Sequence, residues 1–243
     1  MRLKALAKRV TGRVLSTDLL EKLTEYSIAE RSFRPALTTA TRIVTGGDTW
    51  DTIVLRGREE LWRRTLQHTG SDDILLLEFG VFEGDSMRSF VQLNRSQGSR
   101  FYGFDSFEGL PEDWRGLSAH HFDVAGSIPE IDDGRVTFVK GWFRDTLPGK
   151  MGELVELSKS RAVVVHIDAD LYSSTLYVLF TLATKIRNCH IIFDEFSGHE
   201  SRALYNYCQA AGADCQILYR LDWKDCPQVV SGVLSTPTSR RCL

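Results

Sequence analysis

Short apolar runs that alternate with helical patterns are what most constrain the fold of this chain. Seven runs read as buried strands: Ile74–Phe79, Phe101–Phe104, Val136–Lys140, Ala162–Ile167, Cys189–Phe193, Cys215–Arg220 and Gln228–Leu234. Between several of them, apolar residues recur at the spacing of one helix face. Asp85 or Ser86 can cap a helix that turns Met87, Phe90 and Val91 inward; Ser173 or Ser174 can cap another carrying Leu176, Leu179, Ala183 and Ile186. A third, near His199 to Ala211, buries Ala203, Leu204, Tyr207 and Cys208, and Gly212 ends it in a left-handed turn. Such alternation implies βαβ units and a parallel sheet covered on both faces. The last two runs have only Leu221–Pro227 between them, too short for a crossover helix, so they pair antiparallel. The expected fold is α/β: a seven-stranded, mostly parallel sheet closed by a C-terminal antiparallel hairpin.

Residues 1–57 lack this alternation and read as a helical N-terminal extension, with TGGD (Thr45–Asp48) as a break and the main domain over residues 58–243. The segment opens with Leu3, Leu6, Val10 and Val14 at helical spacing among Arg2, Lys4, Lys8, Arg9 and Arg13. Such a basic amphipathic helix can lie on an anionic membrane, but a cap packed on the domain or on a neighbouring subunit of a homo-oligomer is the commoner use. Thirty basic against 32 acidic residues leave a net charge of -2, so no global field draws the chain to nucleic acid. Its five cysteines are odd in number with no CxxC pair, which suits free thiols in a reducing compartment. No apolar run approaches the roughly 20 residues of a membrane span, and the start lacks the apolar stretch of a secretion signal. The expectation is a cytoplasmic protein with no membrane span, acting on a small molecule.

In parallel sheets of this kind, ligands bind where loops leave the carboxyl ends of the strands. The first such loop is LLLEFGVFEGDS, Leu75 to Ser86, in which Gly80 and Gly84 flank a turn into a helix. It is not the GxGxxG that wraps a pyrophosphate. Glu83 inside the turn would repel phosphates, and Glu78 adds a second negative charge near the strand end. An acidic turn with glycines better suits a cofactor bearing a positive amine and a sulfonium and no phosphate, although many tight turns carry two glycines for structural reasons alone. The second strand ends FYGFDSFEGLP, where the Asp105 carboxylate can accept from both hydroxyls of a ribose or can cap the following turn.

The fourth and fifth strands give the strongest local signal. One ends HIDADLYSST, with Asp168 and Asp170, and the other IIFDEFSGHE, with Asp194 and Glu195. Neighbouring parallel strands lie roughly 4.8 Å apart, so these acids repel one another unless a cation or a proton intervenes. Oxygen ligands without a Cys or His cluster point to Mg²⁺ rather than zinc. The competing reading is that some of them cap the helices that follow, Asp170 above all. His166 and His190 lie within apolar strands and read as core residues; His120 and His121 lie in the loop segment Trp114–Glu130, which has few apolar anchors and reads as a mobile lid.

The ordered set LLLEFGVFEGDS, YGFDSFEGLPEDW, VTFVKGWFRDTLP, VVHIDADLYSSTL and IIFDEF resembles the macrocin O-methyltransferase family, the TylF-like enzymes, over about Leu75 to Tyr207. The resemblance implies a Rossmann-like class I methyltransferase fold and the transfer of a methyl group from S-adenosylmethionine, with Mg²⁺, to a sugar hydroxyl on a natural product. It implies that Glu78, Gly80 and Asp105 contact the cofactor and that the Gly141–Trp142 turn lies near the adenine; Gly84 is a candidate contact from the shape of the turn alone. It also implies that Asp168 is both metal ligand and general base, and that Asp194 and Glu195 are further metal ligands; Glu195 stands where the family commonly has an aspartate. A nicotinamide-dependent oxidoreductase is opposed by the missing third glycine and by Glu83. A metal-independent methyltransferase acting on a phenol, amine or carboxylate stays compatible with the residues, and so does a non-catalytic binding module.

Overall fold

All six residues of Ile74–Phe79 are buried, and their side chains alternate between the two faces of a sheet. Leu75, Leu77 and Phe79 join one core with Val163, Val165 and Ile167; Ile74 and Leu76 join a second with Val164 and Ile192. A strand that serves two cores must be apolar throughout, which is why it reads as an unbroken run. Each fully buried Leu or Phe there contributes about 1.5–3 kcal/mol.

The computed structural model describes residues 52–237 except 115, 197, 224 and 225. Its strands are β1 (Ile53–Leu55), β2 (Ile74–Phe79), β3 (Arg100–Asp105), β4 (Val136–Lys140), β5 (Ala162–Ile167), β6 (Asn188–Phe193), β7 (Asp214–Trp223) and β8 (Cys226–Ser235). They form one sheet in the order β1-β7-β8-β6-β5-β2-β3-β4. Only β8 runs against its neighbours, pairing antiparallel with both β6 and β7. The expected parallel core and C-terminal hairpin are present, and an eighth strand adds to the seven. It is β1, parallel to β7 through Ile53↔Tyr219 and Leu55↔Leu221. Residues 53–55, assigned above to the helical extension, therefore belong to the sheet; three residues are too few to show a period. The basic helix and the TGGD break lie outside the described residues.

The helices are α1 (Arg58–His68), α2 (Asp85–Leu93), α3 (Phe143–Ser158), α4 (Tyr172–Ala183) and α5 (His199–Ala211). Leu61 and Trp62 of α1 and Met87 and Phe90 of α2 fill the core on one face, while α3, α4 and α5 fill the other with Leu147, Leu154, Leu179 and Tyr207. Gly212 ends α5 at φ 63°, as expected. The other two caps differ from expectation. Gly84, at φ 81°, precedes α2 and neither Asp85 nor Ser86 caps it; Leu171 precedes α4, leaving Ser173 and Ser174 in its first turn. The sequence reading missed α3, because Pro148, Gly149 and Gly152 interrupt its pattern. Pro148 cannot donate to the carbonyl of Arg144, and the Tyr177 hydroxyl donates there instead at 3.3 Å. Among the described residues, no helix is long and apolar enough to cross a membrane.

Candidate active site

From β2 the chain proceeds outward through β3 to β4, then returns to β5 on the other side of β2. That reversal is the switch point at which open sheets of this class bind ligands, and a cavity of about 750 Å³ opens there. The ladder continues past the strand ends and fixes the loops. Gly80 N–H donates to the Phe104 carbonyl at 3.0 Å, Asp168 N–H to Phe79 at 2.9 Å, Asp194 N–H to Ile167 at 3.0 Å and Gly141 N–H to Asp105 at 2.8 Å. All the sequence-selected loops therefore meet on one edge. Of the selected residues, Gly80, Asp105, Trp142, Asp168 and Glu195 line the cavity, whereas Glu78, Gly84, Gly141 and Asp194 do not.

The glycines have internal reasons. A Cβ on Gly80 (φ 93°) would lie 2.0 Å from the Asp168 carbonyl oxygen, so glycine is what lets β2 and β5 close together. Gly84 faces Pro129 in the same way, at 2.9 Å. The Asp105 carboxylate is held by backbone alone: Oδ2 accepts from Val81 N–H at 2.7 Å and Phe82 N–H at 2.9 Å, and Oδ1 from Phe107 N–H at 2.8 Å. It sets the shape of the first loop from the cavity wall.

Glu78 lies beneath the cavity rather than in it. Strand alternation sends it to the α1–α2 face, fully buried, where Oε1 accepts from Ser86 Oγ at 2.5 Å and faces His166 Nδ1 at 2.9 Å. As arranged, it has no direct access to a cofactor. Register makes Glu78 and His166 direct neighbours, and His166 Nε2 stands 3.9 Å from Asp194 Oδ1. Burial opposes a charge on His166, but the Asp194 and Glu78 carboxylates outweigh it and push its pKa up to about 10. His166 is a core residue, as expected.

The two acids at the neighbouring strand ends are driven apart. Asp168 is raised well above the usual carboxylate range by burial and then by the charge of Asp194. Burial also acts to raise Asp194, but His166 and Arg58 overcome it and hold Asp194 below its ordinary value. Arg58 makes a fork: Nε donates to Oδ1 at 3.0 Å and an Nη to Oδ2 at 2.8 Å. Glu195 Oε1 accepts from the Gln228 amide at 2.7 Å. The expected metal set of Asp168, Asp194 and Glu195 does not assemble: among the described residues, no three His, Cys, Asp or Glu are arranged to hold a metal. The physical reason is that both oxygens of Asp194 already serve the Arg58 guanidinium. The residues as placed do not fit a three-carboxylate magnesium centre. They do fit a sulfonium donor, since the acidic side chains of Asp105, Asp168 and Glu195 line a cavity roomy enough for a nucleoside and an acceptor.

Two further residues went unread in the sequence. Glu200, fully buried in the first turn of α5, accepts from Ala169 N–H through Oε1 and from Glu195 N–H through Oε2, each at 3.1 Å. One carboxylate thus ties together the loops after β5 and β6. Its signal was present, since position 200 continues the stripe of Ala203, Leu204, Tyr207 and Cys208. Arg58 gave one too, as a cation in the first turn of a helix, where the dipole disfavours it. The segment Trp114–Glu130 has more anchors than expected. Trp114 and Phe122 line the cavity with ring centroids 5.9 Å apart, Phe82 meets Phe122 edge-on at 5.7 Å, and Gly126 N–H donates to the Phe107 carbonyl at 2.7 Å.

The chain is similar to two curated Streptomyces proteins. One, from Streptomyces olivaceus, is 8-demethyl-8-(2,3-dimethoxy-alpha-L-rhamnosyl)-tetracenomycin-C 4'-O-methyltransferase, 29% identical over 54% of this chain and 57% of that one. The other, demethyldecarbamoylnovobiocin O-methyltransferase of Streptomyces niveus, is 27% identical over 50% and 52%. The chain thus spans only a little over half the length of these relatives. A solved structure, the O-methyltransferase TomG from Streptomyces achromogenes in complex with SAM, superposes with a TM-score of 0.47 at 14% identity, covering 83% of this chain and 90% of that one. The family model for macrocin-O-methyltransferase (TylF) matches residues 51–225, a range that begins just before β1 and holds the carboxyl ends of β2 to β6 with their acidic loops. On that match, the chain belongs to the macrocin-O-methyltransferase (TylF) family.

Proposed function

We propose that the chain binds S-adenosylmethionine and transfers its methyl group to a hydroxyl of a small-molecule natural product, sugar hydroxyls included, with Asp168 as general base. The observation that carries this reading is Asp168 itself. It stands at the carboxyl end of β5 on the cavity wall, with its proton affinity raised by burial and by Asp194. A carboxylate whose proton affinity is raised by burial is a stronger base than an exposed one. When bound, the donor supplies an electrophilic methyl carbon on a sulfonium and leaves as a neutral thioether. Asp168 takes the hydroxyl proton as the acceptor oxygen attacks in line, and Asp105 and Trp142 hold the nucleoside end. Glu200 keeps the loops after β5 and β6 in register, and the Trp114–Phe122 aromatics cover the cavity and exclude water. The Streptomyces olivaceus relative is named for an acceptor that carries a rhamnosyl group, which supports glycosides as the first acceptors to try.

The Mg²⁺ assistance expected from the sequence has no step in this mechanism, because Asp194 is committed to Arg58. The same fork favours metal-independent transfer. The test is transfer of labelled methyl groups to a panel of glycosidic, phenolic, amine and carboxylate acceptors. Labelling of glycosidic hydroxyls, lost in Asp168→Asn while S-adenosylhomocysteine binding persists by calorimetry, is the expected result. NAD binding without S-adenosylhomocysteine binding would overturn the reading.

A further inference from the structure

The four acids at the ends of β5 and β6 raise a question that the family's chemistry does not answer: what balances their charge in this chain. Strand alternation sends His166 and Ile192 to the α1–α2 face, and that is the face where α1 starts. Trp62 of α1 sits 5.8 Å from the His166 ring, and Thr65 Oγ1 donates to Ser231 Oγ at 2.8 Å, so the helix is fixed to both β5 and β8. A fixed helix fixes the residue at its head. Arg58 therefore reaches Asp194 from an anchored support, with a planar fork whose two donors match the two carboxylate oxygens. A cation in the first turn of a helix works against the dipole, so the position is explained by what it contacts rather than by the helix.

We propose that Arg58 is the resident cation of the acidic edge, its guanidinium occupying through Asp194 the place a divalent metal would need, so that this chain works without a metal and acquires a metal site when the guanidinium is removed. Mg²⁺ requires bare oxygen lone pairs at about 2.0–2.1 Å. Each Asp194 oxygen accepts one charged donor, at 3.0 and 2.8 Å, and the fixed positive charge beside them repels an incoming ion. Without Arg58, Asp194 keeps only His166, at 3.9 Å, as a neighbouring cation, and a divalent ion can take the place of the fork.

Metal binding is measurable without turnover, so this inference and the methyl-transfer reading fail separately. Mn²⁺ is titrated into wild type, Arg58→Met, Arg58→Lys and Asp194→Asn, with free Mn²⁺ read by electron paramagnetic resonance. Arg58→Met is expected to bind at least about tenfold tighter than wild type, a difference of about 1.4 kcal/mol, and the double variant Arg58→Met/Asp194→Asn to lose that gain. Arg58→Lys, which keeps the charge without the fork, should stay close to wild type; Arg58→Gln, also neutral, serves if the methionine variant does not fold, since circular dichroism reports folding for each. Wild-type transfer activity should survive EDTA. Tight wild-type Mn²⁺ binding that Asp194→Asn abolishes would overturn the proposal, because the ion would then displace Arg58 rather than be replaced by it. Equal binding by wild type and a folded Arg58→Met would overturn it as well.

Discussion

Asp105 and Asp194 both terminate central strands at the same edge of the sheet, yet they are held by different means. Asp105 is surrounded by neutral backbone donors from Val81, Phe82 and Phe107. Asp194 is held by charged side chains, Arg58 in a fork and His166 at 3.9 Å. The first arrangement depends on loop shape alone, and no substitution that preserves the backbone removes its donors. The second is electrostatic: each partner is a side chain from another element, so it can be retuned or lost by one substitution. The Asp105 corner is built for geometry, and the acidic edge for charge.

The largest expected effect tests the charged side. Asp168→Asn keeps the shape of the edge but removes the group that accepts the proton, so transfer should fall about 10²–10⁴-fold while calorimetric affinity for S-adenosylhomocysteine changes little. A parallel loss of affinity would mean that the edge shapes the cofactor site too, and the contrast with Asp105 would break down. Next comes Asp105→Ala, which leaves three N–H groups without their acceptor. Hydrogen bonds to charged groups contribute roughly 1.5–3 kcal/mol, so urea denaturation should show a loss of that order, with cofactor affinity weakened as the first loop relaxes. Unchanged stability and affinity in that variant would remove Asp105 from both roles. Glu200→Gln should be milder, costing roughly 1–3 kcal/mol because one of its two backbone donors is left unmet; the turnover number should fall more than cofactor affinity, as expected of a residue that positions the loops carrying Asp168 and Glu195.

The smallest effect extends the contrast to two histidines of adjoining strands. His166 lies between carboxylates, whereas His190 on β6 faces another histidine, His68, at 3.0 Å. Burial and then the His68 charge depress the His190 pKa below its ordinary value of 6.5. The native state therefore binds fewer protons there than the unfolded chain. This contribution to stability is complete above about pH 6.5 and is lost as pH falls through the depressed value. Urea midpoints followed from pH 7.5 down to about pH 5 should decline more steeply in wild type than in His190→Gln. Identical slopes would show that the pair accommodates a proton without strain.

The contrast also explains what could be read in the sequence. Strands β2 and β5 were legible to the residue because burial on two faces demands unbroken apolar runs, and α5 because Gly212 and a clean stripe mark it. Helix α3 was hidden by Pro148, whose cost is offset by a tertiary partner, Tyr177, that no local pattern reveals. At the site, Asp105, Asp168 and Glu195 were visible as acids at strand ends, and the structure brings them to the cavity wall. The fate of Asp194 was not visible. Its partner lies 136 residues earlier in the chain, and a pairing so distant leaves no trace in spacing. Glu78 was placed on the correct strand but in the wrong compartment, because a buried carboxylate looks the same as an accessible one until its neighbour His166 is known.

The lone reversed strand has a consequence for how the molecule is assembled. Because β8 sits between β7 and β6, the outer pair β1–β7 joins the rest of the sheet only through it. On the ribosome β8 is the latest made of the described strands, so β1, made first among them, has no route to the sheet until nearly all of the rest has emerged. Pairings that distant in the chain close slowly, and the exposed edges of β6 and β7 are open to wrong partners in the meantime. The Thr65–Ser231 bond stitches α1 to β8 in the same late step, and with it Arg58 settles against Asp194. A nascent chain can therefore hold its Asp105 corner, built between β2 and β3, well before its acidic edge is electrically complete, and a polypeptide cut before β8 should keep the one and lack the other.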